Sequence, residues 1–445
     1  LSAWRRIREE VGGALRSRFL RQSGWMTASA VASLLSGFLF NFGFTWVAGI
    51  AALGLLTLVQ GVVEFVVVLL DLSLDEALTR AVIFHRREGR PGRALSAIFV
   101  SYGVDFVLGV LVLAFLFWGV APMLPRLGAL FGLDAGYRDP ALPALVGIYA
   151  LGLFCSTVNS TGIGVLQAFQ AFRTIGVLFT ASAVLECVLP LAAWWRWGTL
   201  EAVVWALSLG LFLYSTGLGL LTWRLMRREF AGVRPQAPRE VARELFRFGA
   251  VITVSGALKT AFRKLNVLIL GAFPKEIQGY YRIAMTYGNS LGFFAGPMGS
   301  VLLPKQAANA AAGDWKRFRE VNRRLTLGMA AFSVPAGLVA MLAAPWLVPL
   351  LWRSEAAPAV AAVPWIVMTA VLTNISCYLR PSIVAVGRPG ISVWTNLLML
   401  ACLAVASSLL APVSRHVGVA QAWFLTHLVG VVVGMWLLRK AMQER

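Results

Sequence analysis

The chain has 445 residues, of which 58% are hydrophobic and only 13% charged, and its mean hydropathy is +0.74. A soluble chain carries about a quarter charged residues, so a water-soluble globular protein and a disordered one are both excluded. Forty Lys and Arg against twenty Asp and Glu leave a formal charge of +20. Because the basic residues sit between apolar runs, this excess reads as membrane topology and contact with anionic lipids, with no nucleic acid as partner.

In chain order, residues 1–21 form a basic segment, expected to be cytoplasmic. Trp4 to Arg21 carries too many arginines and too short an apolar run for a signal peptide. Apolar runs long enough to cross a bilayer, each needing about 20 residues, follow at roughly 22–47, 50–74, 94–121, 142–166, 175–195, 200–223, 246–272, 279–304, 325–348, 359–385, 391–411 and 417–438. Continuous hydrophobicity without period-2 alternation predicts helices and not a β-barrel. The expected fold is an all-α membrane protein of about twelve transmembrane helices in two six-helix lobes, 22–223 and 246–438. A basic linker at 224–245 joins the lobes, and a short tail at 439–445 ends the chain.

Basic residues set the orientation. The loops on the amino-terminal side carry 29 Lys and Arg and the opposite loops six, which puts both termini in the cytoplasm. The longest outside loop, about 122–141, is too short for a folded domain. His85 falls in a basic loop and is expected to be solvated, whereas His427, in an apolar span, reads as a packed histidine. Trp25, Trp46 and Trp352 lie near span ends and suit an interfacial belt.

The two halves echo each other at an offset of 225 residues. Gly24 matches Gly249, Gly54 matches Gly279, and Thr79-Arg80 matches Pro304-Lys305. Gly89…Arg93 and Ala121-Pro122 match Gly313…Arg317 and Ala344-Pro345 with slightly shorter offsets. Six spans per half give both halves the same orientation, a parallel repeat, with any substrate site near the midplane between them.

Charges within spans are costly and mark function, pairing or snorkelling. Ser255, Lys259, Arg263 and Asn266 stay within about 40° of Lys259 on one helical stripe. Two cations near mid-depth on that stripe read as an anion-binding wall or as partners of facing carboxylates. Lys264 flanks the stripe, and Arg282 and Arg380 near span ends are secondary candidates that snorkelling also explains. Glu64, Asp71, Asp105 and Glu186 all belong to the first half. They are candidates for ion coupling, with Na⁺ or H⁺ as the ion, or for pairing with a Lys or Arg. Asp71 also suits the cytoplasmic interface.

No phosphate loop, HExxH, GxSxG or Cys/His cluster occurs, so the chain is not expected to be an enzyme or to hold a metal or other cofactor. The four cysteines all lie in apolar runs and suggest neither a disulfide framework nor a zinc site.

Several short motifs occur in a family order. Gly54-Leu55 and Leu72-Ser73-Leu74…Ala77-Leu78-Thr79-Arg80 come first, then Phe246-Arg247-Phe248-Gly249. Gly279-Tyr280-Tyr281, Leu303-Pro304, Gly313-Asp314 and Gly387-Arg388-Pro389 follow. Over roughly 22–438 the chain resembles the Wzx-type polysaccharide flippases, whose superfamily includes multidrug and toxin extrusion (MATE) transporters and the lipid II flippase. The twelve spans are like Wzx-type members. One departure is Asn266, where many relatives carry an Asp.

The resemblance implies a MATE-like fold and translocation of an undecaprenyl-diphosphate-linked oligosaccharide from the inner to the outer leaflet, for surface polysaccharide such as O-antigen. The expected setting is the bacterial inner membrane. The expected form is a monomeric transporter, with glycan polymerase machinery as a candidate partner. A MATE-like, cation-coupled multidrug antiporter is the alternative, since acids in the first half suit cationic substrates. A membrane glycan polymerase or ligase is a third reading, disfavoured by the short outside loops.

Overall fold

The computed structural model describes residues 18–70, 74–131, 136–294, 302, 306, 309, 310, 312–388 and 390–443. Of these, the side chains at 18–23, 68–70, 74–76, 127, 131, 247–257, 259, 260, 293 and 294 lie outside the description. Among the described residues every regular element is helical. The helices are α1 Arg18–Ala48, α2 Ile50–Leu70, α3 Leu74–Arg87, α4 Pro91–Ala114, α5 Ala121–Phe131, α6 Leu142–Val158, α7 Ser160–Ala168 and α8 Phe172–Trp197. They continue as α9 Leu200–Glu229, α10 Pro238–Leu270, α11 Lys275–Asn289, α12 Trp315–Trp352, α13 Val363–Ile375, α14 Leu379–Ala385 and α15 Gly390–Gln443.

Local chemistry sets the helix ends. Gly198, at φ 66°, ends α8 in the left-handed region, and Thr199 then caps α9 by accepting from the Ala202 N–H at 3.4 Å. Asp314 caps α12 through the Arg317 N–H at 2.9 Å.

Among the described residues, nine helical stretches are long and apolar enough to cross a membrane, against the twelve spans expected. Expected span seven is the charge-bearing α10, which falls outside a simple length-and-apolarity rule, and expected span eight begins in α11 and runs on into residues outside the description. Expected spans eleven and twelve form one helical run, α15, broken at Ser414 and Arg415, where Arg415 takes φ 51°. Met399 meets Gly430 and Leu410 meets Gly418, so the two arms of α15 pair antiparallel.

The chain divides into two compact units, most of whose borders fall inside helices. The first comprises the described parts of Leu1–Phe40, Asp71–Leu113 and Ala150–Thr253. Its core includes Leu78, Val82, Ala94, Ile98, Val165, Val241 and Leu245, contributed by α3, α4, α7 and α10. The amphipathic α3 packs on α7. Ion pairs Arg86–Glu229, at 3.1 Å, and Arg93–Glu240, at 2.6 Å, tie residues 86–93 to the end of α9 and the start of α10. His85 is buried, contrary to the solvated position expected. It lies 3.5 Å from Glu244 and 3.9 Å from Glu88, because α3 turns that face onto the start of α10.

The second unit comprises Asn41–Leu70, Ala114–Tyr149 and the described parts of Val254–Arg445. Inside it, segments from both halves of the sequence interlock, and α2 packs closely along α11. A Cβ at Gly54 would overlap the Lys275 carbonyl oxygen, and a Cβ at Gly279 would overlap the Ile50 carbonyl oxygen. Residues 275 and 279 are the offset-225 counterparts of 50 and 54. This reciprocity is what a two-fold axis between repeated segments produces, and it explains why both positions are glycine.

Two further contacts tie the second unit together. The end of α10 packs against residues 136–139. Tyr137 N–H donates to the Gly271 carbonyl at 3.3 Å, and its hydroxyl donates to Leu268 O at 2.7 Å. Lys275 pairs with Asp139 at 3.2 Å. The end of α1, counterpart of the end of α10, packs against residues 351–353. Trp46 donates to the Leu351 carbonyl, and the Arg353 guanidinium covers the Trp46 ring at 4.7 Å. Trp352 is fully buried against Phe42, so it stands in this contact and not in an interfacial belt.

Candidate functional site

The second unit gathers a polar cluster from α1, α2, α6, α10 and α11. Glu64 projects from the middle of α2, one of the most apolar helices in the chain. Lys264, on α10, forms an ion pair with its Oε2. The Tyr149 hydroxyl, on α6, donates to its Oε1 at a long 3.3 Å. Arg282, on α11, interacts electrostatically with Glu64 and Tyr149, and its Nε donates to Asn41 Oδ1 on α1 at 3.0 Å. Glu64 and Lys264 side chains keep 27% and 28% of their exposure, which leaves the ion pair reachable. Among the described residues, two cations and one carboxylate give the cluster a surplus of one positive charge.

Beside it, Asn266 is buried and donates to the Tyr281 hydroxyl at 2.6 Å while accepting from the Val267 N–H at 2.9 Å. The neutral amide completes a local hydrogen-bond pair. Asn41 is the offset-225 counterpart of Asn266, and both are buried. The repeat could have pointed to Asn41, which spacing on one helix did not. Tyr149 carried no sequence signal.

The other candidates fall elsewhere. Arg263 is exposed and lies in the field of His427, whose ring is packed among Phe262 and Trp423 as expected of a packed histidine. Ser255 and Lys259 lie on α10, but their side chains are outside the description. The stripe therefore spans different surroundings at its described end, Arg263 exposed and Asn266 buried. Arg380 is exposed at the start of α14, whose Leu379 packs on the cluster around Phe318 and Leu438.

The acids of the first half divide. Glu64 joins the cluster, while Asp105 and Glu186 belong to the first unit. Asp105 is buried and its Oδ2 accepts from Ser160 Oγ at 2.7 Å, Thr161 Oγ1 at 2.7 Å and Thr161 N–H at 2.9 Å. It caps the start of α7, where the fourth expected span breaks at Asn159. Glu186 accepts from Ser182 Oγ at 2.7 Å, one turn back, and faces Tyr214. Asp71 lies outside the described residues. Among the described residues no group of three or more His, Cys, Asp or Glu could hold a metal ion, and the four cysteines are free and half-buried.

Solved structures share this fold. A multidrug-resistance MATE transporter of the MOP superfamily, in its inward-facing conformation, matches with a TM-score of 0.72 at 15% identity, covering 93% of this chain and 96% of that one. The lipid II flippase MurJ, in an inward closed conformation, matches with a TM-score of 0.71 at 13% identity, covering 95% and 89%. A MOP-superfamily transporter from Pyrococcus furiosus, described as having a binding pocket of reverse polarity that suggests a different function, matches with a TM-score of 0.64 at 16% identity, covering 95% of each chain. These neighbours are transporters and a flippase, not enzymes. No protein with a curated description matches the sequence. The family described as polysaccharide biosynthesis protein matches over residues 49–361, about 70% of the chain, and so this multi-pass membrane protein belongs to that family.

Proposed function

We propose that the protein moves an undecaprenyl-diphosphate-linked oligosaccharide from the cytoplasmic to the outer leaflet by alternating access, for export of surface polysaccharide. The observation that carries this reading is the cluster of Lys264, Arg282 and, among the described residues, a single carboxylate, Glu64. A charge left unpaired within a bilayer is costly, so a surplus cation held among spanning helices calls for an anionic ligand. A diphosphate head group supplies that anion, its lipid tail stays in the bilayer, and the sugars cross in a polar path. Family membership in polysaccharide biosynthesis and a fold shared with a lipid II flippase support the same reading.

The bias of basic residues supports an inner membrane of a bacterium with both termini in the cytoplasm. The six-helix lobes at 22–223 and 246–438 are the bodies expected to rock. The protein works as a monomer without a cofactor. Moving an anionic head group outward is driven by the membrane potential, worth about 2.3 kcal/mol per charge per 100 mV, or by a Na⁺ or H⁺ gradient. Flipping of a fluorescent undecaprenyl-diphosphate oligosaccharide in proteoliposomes tests the function. Transport should slow when the potential and the ion gradients are collapsed, and an unchanged rate counts against alternating access driven in this way. Lys264→Gln with Arg282→Gln should lower the rate about tenfold or more, and a normal rate in that double variant removes the site.

The second reading is a multidrug antiporter, favoured by the fold shared with MATE transporters. The surplus positive charge opposes a cationic drug. Uptake of cationic dyes, absent under the first reading, separates the two.

A further inference from the structure

The cluster contains a feature that a plain anion-binding wall does not need: a carboxylate already seated on its lysine. We infer that Glu64 is the resident counter-anion of the site, and that an incoming phosphate takes its place on Lys264. The inference rests on the proposed anionic substrate and adds how the site is kept when that substrate is gone.

The argument is one of charge and access. Lys264 without a partner would be costly in a low-dielectric setting, and Glu64 supplies that partner from the other half of the sequence. The hold on Glu64 is nonetheless weak for a carboxylate within a helical bundle. Its second oxygen takes one hydrogen bond, from Tyr149 at 3.3 Å, and both charged side chains remain partly exposed. Asp105 shows what a permanently held carboxylate looks like in the same protein, with three donors at 2.7–2.9 Å on one oxygen. A phosphate brings more acceptor oxygens and more charge than a carboxylate, so it competes well for an ammonium. Arg282 lies in the field of Glu64 and would share the incoming charge. Glu64 then sets affinity by competition, so that the bound anion can leave when Glu64 returns.

Undecaprenyl diphosphate binding to the full-length protein in neutral-lipid nanodiscs tests this. Glu64→Gln should tighten binding about five- to tenfold and slow release. Tyr149→Phe, which leaves the ion pair but frees one carboxylate oxygen, should tighten it less, about twofold. Lys264→Gln should weaken binding, and adding Glu64→Gln to it should bring no further gain. Thermal melts of the empty proteins check folding, and should Glu64→Gln fold poorly, Tyr149→Phe carries the test. If Lys264→Gln weakens binding while Glu64→Gln or a folded Tyr149→Phe leaves it unchanged or weaker, the counter-anion role is wrong and the flippase reading stands. If the wild type does not bind the probe at all, the flippase reading falls and the counter-anion role with it.

Discussion

Asp105 and Glu64 are both carboxylates set in apolar helices of the first half, yet their surroundings differ. Asp105 is 4% exposed and saturated by three short donors, two of them from the Thr161 it caps. Glu64 keeps more than a quarter of its surface, one long hydrogen bond and one ammonium partner. The contrast teaches that an intramembrane acid is not functional by depth alone. The number and fixity of its donors separate a structural cap from a group that can exchange partners.

Replacing Asp105 with Ala should have the largest effect on that contrast. It strands the buried Thr161 hydroxyl and N–H at the start of α7 and the half-buried Ser160 hydroxyl, and should cost about 3 kcal/mol or more, read as a large fall in thermal midpoint. A folded, undiminished Asp105→Ala would erase the distinction. Gly54→Ala comes next. Its Cβ would overlap the Lys275 carbonyl, so α2 and α11 must part, at about 1–3 kcal/mol. The same loss in Gly279→Ala would sharpen the case for a two-fold axis, whereas a neutral result in either would break the reciprocity. Glu64→Gln, which leaves Lys264 without its counter-charge, should cost about 1–2 kcal/mol in stability, while changing anion affinity as described. Smallest should be Arg93→Ala, whose partner Glu240 is well exposed, with a change within about 0.5 kcal/mol.

Part of the site was legible in advance. Lys264 and Glu64 stand out because charge is rare on such apolar stretches, and pairing with a facing lysine or arginine was one of the two roles open to Glu64. Their partnership was not legible, because 200 residues of sequence separate them and many registers of α2 against α10 satisfy the same hydropathy. Arg282 read as a snorkelling side chain until Asn41 and the field of Glu64 gave it neighbours. His85 illustrates the opposite error. Arginines around it suggested water, but α3 is amphipathic and packs on its neighbours, which buries the histidine between two glutamates. The glycines at 54 and 279 were visible as an echo, and their purpose became clear only as two backbones meeting.

The sequence by itself determined the helical, membrane-spanning character and the 225-residue repeat, because hydrophobic length and spacing act locally along the chain. Tertiary structure alone decided which of the buried charges meet, that Asp105 serves as a cap, and that Asn41 and Tyr149 join Glu64, Lys264 and Arg282. Such choices depend on the register between distant helices, where a shift of one residue turns a side chain by about 100° and exchanges its partner for lipid.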